Sequence, residues 1–549
     1  MIRAARILAD TVAAVALGLL ASGSPGGAWQ AAAAQPAAEP EAVPQAAPAP
    51  AVAVDPALLE LGRTTYVKQC SPCHGAGGRG DGEADYLLYP RPRNFTTARF
   101  KLVSTWEGVP TDDDLFATIT RGMPGSAMPA WGHLPERTRR ALVQYVKSLS
   151  GADFAVPPAA DPTPDGQAGH GVIRVPPEPA DTPESRARGQ EFFADACASC
   201  HGPTGRGDGV QAQVDDQGYP TQPRNLTLGV FKGNPEPAAL YRRLMAGMPG
   251  TPMPNSSWAY GEDGWHLVHL VRSWSSDEQR ARVEMRRETI RAVRLDTLPA
   301  HPDDSLWQQA PYVNLHLMPL WWRSERPEEV TVRAAHNGRE LVLLLVWQDF
   351  TNDDTAMRPQ DFRDAVAVEF ALTPDPPFFA MGNSGEPVNI WMWKSERQAD
   401  LEPAFQDLEK VYPNLGIDSY PNLLRSALEQ PMRHALTLES DPTYVTGWGA
   451  GNIVSDPTRK SPVEDLHAQG FGTLRARPRP DQQVQALGIY GTDSYRVMLR
   501  RVFKGTGDDS VRLKPGAEIP LAFAVWNGSA GDRDGKKSVT IWQSLRIEP

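Results

Sequence analysis

The feature that most constrains this chain is a cysteine–histidine motif that occurs twice, as CSPCHGAGGRGDG from residue 70 and as CASCHGPTGRGDG from residue 197. Each copy contains Cys-x-x-Cys-His, the attachment signature of c-type haem. The two thiols of such a motif bond covalently to the haem vinyl groups, and the histidine ligates the iron. Because each motif lies inside a longer matching block, a chance match or a zinc site explains it poorly. The sequence therefore predicts two covalent haems, held by Cys70, Cys73, Cys197 and Cys200, with His74 and His201 as iron ligands.

Cysteine count and charge narrow the remaining chemistry. The 549 residues include four cysteines, all of them in the two motifs, so none is left for a disulfide, a zinc site or an iron–sulfur cluster. An iron–sulfur cluster in the same pathway must then belong to another chain. The net charge of −11 and a pI near 5.6 argue against a nucleic-acid partner.

The first 34 residues have the pattern of a signal peptide. Arg3 and Arg6 precede an apolar run at residues 11–21, and small residues at 31–34 offer a cleavage site. The apolar run is shorter than the roughly 20 residues that span a bilayer. We therefore predict a periplasmic mature chain without a transmembrane span, with an uncleaved anchor as the alternative. Residues 35–55 form an Ala/Pro-rich linker.

Two units, residues 56–150 and 183–276, are related by an internal duplication and are separated by a Pro-rich linker at 151–182. Gly62 and Gly189 each precede their motif by eight residues, and an aromatic residue follows each glycine by four. Residues at i and i+4 share a helix face, where glycine allows a second helix to approach closely. The apolar spacing of ALVQYVKSL (141–149) and HLVHLVRSW (266–274) predicts those second helices.

Both units resemble class I cytochromes c, in which the two helices cross beside the haem. That resemblance implies a methionine ligand opposite the histidine. The matching segments GMPGSAMP and GMPGTPMP each offer two methionines, Met123 or Met128 and Met248 or Met253. In related cytochromes the ligand tends to belong to a Met-Pro pair, which favours Met128 and Met253.

Other polar clusters receive structural interpretations. His266 and His269 stand at i and i+3 on the predicted last helix of the second unit and are expected to be surface or packing residues. RGDG after each motif is expected to be a Gly-rich turn over the haem edge. Asp349, Asp353 and Asp354 follow a predicted strand without the ligand alternation of a calcium loop, so a turn is expected there.

The composition changes after a charged connector, residues 277–296, which we predict to be helical. Tryptophan becomes frequent, and six segments have strand patterns separated by Gly, Asp and Pro clusters: 340–350, 364–372, 387–394, 494–503, 519–528 and 537–547. Together they predict an all-β sandwich over residues 297–549 with a helical insertion at 402–429.

This third region is similar to a known family. The runs NGRELVLLLVWQDFTNDD (337–354), PFFAMGNSGEPVNIWMWK (377–394) and WNGSAGDRDGKKSVTIWQSL (526–545) resemble the haem b (γ) subunits of type II dimethyl sulfoxide reductase-family enzymes, such as ethylbenzene dehydrogenase. The resemblance implies a β-sandwich holding one non-covalent haem b between a methionine and a lysine. The matching positions are Met381 and Lys537. Lys536 is the adjacent alternative, because strand alternation lets only one of the two face the haem.

The predicted architecture is thus two all-α cytochrome c domains followed by an all-β haem b domain. The resemblance implies an electron-transfer subunit, not itself an enzyme, whose partners are a molybdenum catalytic subunit, an iron–sulfur subunit and a soluble or membrane cytochrome. The γ subunits of the family lack c-type domains and a segment as long as residues 400–469. An alternative is a dihaem cytochrome c whose C-terminal β-sandwich lacks haem and binds a carbohydrate or another ligand. In that case exposed Trp321 and Trp322 would stack on sugars.

Overall fold

A computed structural model describes residues 55–163, 168–376, 381–401, 412, 414 and 461–549. The predicted signal peptide and all but the last residue of the Ala/Pro-rich linker lie outside the described residues. So does the predicted helical insertion at 402–429, apart from residues 412 and 414.

The first unit is helical and is built around the crossing of its first and last helices. Gly62 lies in the first helix, and a Cβ atom placed on it would lie 2.2 Å from the carbonyl oxygen of Ala141 in the last one. The glycine therefore allows the close approach that its spacing predicted. The helices of this unit are α1 (Pro56–Gln69), α2 (Ser71–His74), α3 (Asp112–Arg121) and α4 (Glu136–Ser148).

The second unit repeats this arrangement and adds a small hairpin. A Cβ atom on Gly189 would lie 2.2 Å from the carbonyl oxygen of His266, as at the first crossing. The helices are α5 (Pro183–Ala196), α6 (Ala198–His201), α7 (Pro237–Ala246) and α8 (Glu262–Ser273). The hairpin strands are β1 (Gln213–Val214) and β2 (Pro220–Thr221).

Part of the predicted Pro-rich spacer packs against the second unit. Ile173 is fully buried in the core of that unit. The indole N–H of Trp265 on α8 donates to the carbonyl of Pro176 at 3.2 Å. The spacer therefore contributes to the second core as well as joining the two units.

The connector differs from the helix expected there. Only α9 (Asp277–Arg282) is helical, and β3 (Thr289–Arg294) is a strand of the following sheet. Ile290 and Ala292 are fully buried while Thr289 and Arg291 are exposed, which is the two-residue period of a strand. The prediction of a helix over residues 289–294 was wrong, because the arginines of this segment give it the composition of a charged helix.

The remaining region is a multi-stranded β domain. Its strands include all six predicted segments, although the last is interrupted between Val539 and Gln543. After α9, and with one short helix α10 (Ser395–Ala399), the strands are β3, β4 (Tyr312–His316), β5 (Met318–Pro319), β6 (Glu329–His336), β7 (Glu340–Gln348), β8 (Ala365–Ala371), β9 (Val388–Lys394), β10 (Val463–Ala468), β11 (Arg475–Ala476), β12 (Gln485–Tyr490), β13 (Ser494–Val502), β14 (Glu518–Trp526), β15 (Ser538–Val539) and β16 (Gln543–Ile547).

The strands form two halves that share one core. One half has the order β11-β10-β9-β8-β14 and the other β3-β6-β7-β13-β12, and β16 joins them through an antiparallel pair with β14 and a parallel pair with β3. Buried side chains of both halves, such as Val368 and Leu343, belong to the same hydrophobic cluster. The predicted class, two helical cytochrome c domains followed by a β domain, is confirmed.

Candidate haem sites

The first motif forms a short helical turn directly after α1. Tyr66 donates its hydroxyl hydrogen to the carbonyl of Gly75 at 2.8 Å, which ties the end of the turn back to α1. His74 Nδ1 donates to the carbonyl oxygen of Arg93 at 2.9 Å, so Nε2 is the nitrogen left to bind iron. Burial lowers the pKa of His74 to about 4, which keeps the imidazole in the neutral form that a metal requires.

An apolar cavity opens beside this turn and fits a haem. Cys70, Cys73 and His74 line one wall, and both Met123 and Met128 line the cavity as well. Since both methionines of the GMPGSAMP loop border the cavity, either can reach it, and the preference for Met128 stays a prediction.

The second motif lines an equivalent cavity with Cys197, Cys200 and His201. Met248 and Met253 both border it, and Met253 stays a predicted ligand on the same grounds as Met128. Burial lowers the pKa of His201 to about 4. Its Nδ1 is buried without a hydrogen-bond partner among the described residues, which distinguishes this histidine from His74.

Buried and partly buried cations border both cavities. Lys101 lines the first cavity and Arg243 the second, while Arg224 and Lys232 line both. Arg224 and Lys232 occupy the duplicated positions of Arg93 and Lys101. The duplication was visible in the sequence, but the sequence analysis assigned these cations no role, because their position between the cavities depends on how the two units dock.

The remaining polar candidates of the cytochrome units have packing roles. Ser185 Oγ lies 2.8 Å from Nδ1 of both His266 and His269, and His269 is almost fully buried. In each RGDG segment the loop folds back on the motif; the amide of Gly82, for example, donates to the carbonyl of Cys73 at 3.1 Å. Both observations agree with the structural interpretations made from the sequence.

The side chains of the two candidate lysines of the β domain lie in different surroundings. Lys536 Nζ donates to the carbonyl of Ala530 within the same loop. Lys537 Nζ lies 4.9 Å from the ring centroid of Trp526, and burial lowers its pKa. A lysine ligand must be neutral, so the surroundings of Lys537 suit a ligand better than those of Lys536.

Glu369 on β8 links the two candidate haem b ligands. Its carboxylate accepts the backbone N–H of Met381, and it interacts electrostatically with Lys537. Burial raises the pKa of Glu369 to about 8, and its Oε1 has no hydrogen-bond partner among the described residues. Met381 packs against an apolar cluster that includes Met318, Ile390 and Trp526. A methionine beside an apolar surface and a lysine whose pKa is lowered by burial fit the donor set expected for haem b.

That apolar cluster also contains part of the first cytochrome unit. Leu88, Ala127 and Ala130 belong to it, and Cys73 packs against it together with Met381. The amide of Tyr89 donates to the carbonyl of Leu320 at 2.9 Å, and the amide of Leu320 donates to the carbonyl of Lys537 at 2.9 Å. The first motif and the candidate haem b ligands therefore border one continuous apolar contact.

The tryptophans expected to be free for stacking on sugars are covered instead. The ring of Trp321 stacks on Tyr89 of the first unit, with centroids 5.3 Å apart. The guanidinium of Arg224 lies 3.9 Å from the ring centroid of Trp322. Both rings lie at contacts with the cytochrome units, because residues 321–322 follow the short strand β5 that pairs beside Lys537.

The acidic group after β7 has the geometry of a turn, as expected. Asp349 Oδ1 accepts the backbone N–H of Thr351 at 3.2 Å, and burial raises the pKa of Asp349. Within the part of the chain that the structure describes, no three His, Cys, Asp or Glu side chains cluster in a way that would hold a metal ion.

Fold and sites together define a haem protein with two cytochrome c units and a β domain. Residues 57–146 match the family described as cytochrome c oxidase, cbb3-type, subunit III, and residues 186–275 match the cytochrome c family. Residues 304–538 match the family described as ethylbenzene dehydrogenase, as the resemblance predicted.

Relatives of this chain include subunits of several oxidoreductases. The dimethylsulfide dehydrogenase subunit gamma of Rhodovulum sulfidophilum is 27% identical over 46% of this chain and 76% of its own length. A putative respiratory nitrate reductase heme subunit of Haloferax mediterranei is 22% identical over 47% and 72% of the two chains. The chlorate reductase subunit gamma of Ideonella dechloratans is 21% identical over 45% and 80%. These relatives are named as subunits of oxidoreductases, one of them as a heme subunit, in agreement with the expectation that this chain is an electron-transfer subunit.

Among the residues that the structure describes, no helix combines the length and the apolar character needed to cross a bilayer.

Proposed function

We propose that this chain is the three-haem electron-transfer subunit of a periplasmic molybdenum oxidoreductase complex. Two haems are covalent, held by the two cysteine–histidine motifs, with Met128 and Met253 as the second iron ligands. The third is a haem b between Met381 and Lys537. Bound haem iron supplies one-electron exchange between its ferrous and ferric states. The partners are a molybdenum catalytic subunit, an iron–sulfur subunit, and a soluble or membrane cytochrome.

The observation that carries this proposal is the continuous contact between the first motif and the β domain. Cys73 and Met381 pack against the same apolar cluster, and backbone hydrogen bonds run from Tyr89 through Leu320 to Lys537. An electron carrier held by Cys73 would therefore lie directly beside one held by Met381. Such tethering replaces diffusional encounter by a high effective concentration.

The contacts also give an order for the relay. The first cytochrome unit borders the β domain on one side and shares Arg224 and Lys232 with the second cavity on the other. The order is then haem b, first covalent haem, second covalent haem. Trp258 borders the second cavity and is 52% exposed, so the outer cytochrome is proposed to meet the second unit.

Purification of the complex through this chain tests the proposal. We expect an affinity-tagged chain, isolated from its native cells under mild conditions, to carry about one molybdenum atom per chain together with non-haem iron. The two metals are measured by elemental analysis, and the iron of all haems, quantified from a pyridine haemochrome spectrum, is subtracted from the total iron. A stable complex that contains the haems but neither molybdenum nor non-haem iron would contradict the assignment of the partners.

A further inference from the structure

We propose that Arg224 and Lys232 form a shared cationic site that binds propionate groups of both covalent haems. The proposal requires only the two covalent haems, so it holds whether or not the β domain carries haem b. It assigns one binding site to two cofactors on different units, and it makes these two side chains the electrostatic link between them.

The position of the two cations is the first observation. Arg224 and Lys232 line the cavity beside the first motif and also the cavity beside the second. Arg224 belongs to the second unit, yet its guanidinium lies against the methionine loop of the first. A Cβ atom on Gly125 would be 3.1 Å from Arg224 Nη1. Its side chain therefore lies at the boundary between the two cavities.

The second observation is that this buried charge lacks a counterion. Arg224 is 6% exposed, and its Nε and Nη2 atoms are buried without a hydrogen-bond partner among the described residues. One face of the guanidinium stacks on Trp322, which compensates for only part of the lost hydration. A buried guanidinium with two free donors is costly unless an anion binds it.

The surrounding charges strengthen this argument. Lys101 and Arg243 are near Lys232, and together with burial and Arg224 they hold the pKa of Lys232 well below its usual range. Two acids are near: Asp215 counteracts this lowering of the Lys232 pKa, and Asp216 is engaged by Arg93 through two hydrogen bonds of 3.0 and 2.9 Å. The cationic side chains thus outnumber the acidic ones here, so a bound anion would stabilise the charged form of Lys232.

Haem propionates are the anions that suit this site. Each haem carries two carboxylates on one edge, and the cations border both haem cavities. A guanidinium binds carboxylates through paired N–H donors, and a lysine adds a point charge. Arg224 and Lys232 would then hold the propionate edges of the two haems towards each other.

The test is a spectroelectrochemical titration of the purified full chain with its haems. We expect Arg224→Gln to lower the midpoint potentials of both covalent haems, because a lost positive charge favours ferric iron. The expected change is about tenfold in each reduction equilibrium, which is about 59 mV for one electron. The measurement needs neither the partner subunits nor haem b, so its failure is separate from a failure of the proposed function.

Two residues that each line only one of the cavities provide matched controls. Lys101→Gln is expected to lower only the potential of the first covalent haem, and Arg243→Gln only that of the second. These controls also assign the two potentials. Arg224→Lys keeps the charge and is expected to leave both potentials close to those of the unaltered chain.

A shift of only one potential in Arg224→Gln, or of neither, would overturn the shared site. If Arg224→Gln does not retain two covalent haems, Lys232→Gln replaces it, with the same expected fall in both potentials. If Lys232→Gln then lowers only one of the two potentials, the shared site is overturned.

Discussion

Replacing Lys537 with alanine is expected to release the non-covalent haem from the full chain while both covalent haems remain. Lys537 is buried beside Glu369 and Trp526, where burial lowers its pKa towards the neutral, ligating form. Removing an iron ligand should weaken haem binding more than about 100-fold, since residues that only orient a ligand already contribute about 10- to 100-fold. Non-covalent haem is measured by acidified-acetone extraction and chromatography.

The neighbouring lysine provides the matched control for this prediction. Lys536→Ala removes the same side chain one residue earlier, where Nζ binds the carbonyl of Ala530. We expect Lys536→Ala to retain its extractable haem. The opposite result, with haem lost from Lys536→Ala and kept by Lys537→Ala, would reverse the ligand assignment.

Gly62→Ala is expected to destabilise the first cytochrome unit strongly although it adds only one methyl group. On helix propensity alone this change in α1 would stabilise by about 1 kcal/mol. The added Cβ atom would lie 2.2 Å from the carbonyl oxygen of Ala141, which is backbone and cannot rotate away. The added methyl group forces α1 away from α4, which should lower the free energy of unfolding by about 1–3 kcal/mol. Denaturant unfolding, followed by the absorbance of the covalent haems, measures the change.

Gly77 offers the control within the same unit. A Cβ atom on Gly77 meets no atom within 4 Å, so Gly77→Ala should change the free energy of unfolding little. Equal stabilities for Gly62→Ala and Gly77→Ala would show that the helix crossing is looser than the structure places it.

Much of the cytochrome half could be predicted from the sequence, because covalent haem attachment requires a fixed motif and helix packing has a fixed period. The duplicated glycines before each motif therefore located both helix crossings. The preference for Met128 and Met253 within the two methionine pairs stays a prediction, because the structure leaves both members of each pair in reach. Met123 and Met128 border one cavity, and Met248 and Met253 border the other.

The features that could not be predicted from the sequence are those that depend on how the cytochrome units and the β domain dock. Trp321 and Trp322 belong to the β domain, and the sequence contains no local signal that Tyr89 and Arg224 cover them. The same holds for the position of Arg224 between two cavities. The strand at Thr289–Arg294 was missed for a different reason, since its alternating burial becomes visible only once the sheet beside it exists.

The haem stoichiometry of the purified full chain tests the central claim most directly. A pyridine haemochrome spectrum separates haem c from haem b by their different absorption bands, and the protein concentration gives the number of each per chain. The account predicts two haem c and one haem b. A spectrum with two haem c and no haem b would contradict it and would leave the β domain without an electron carrier.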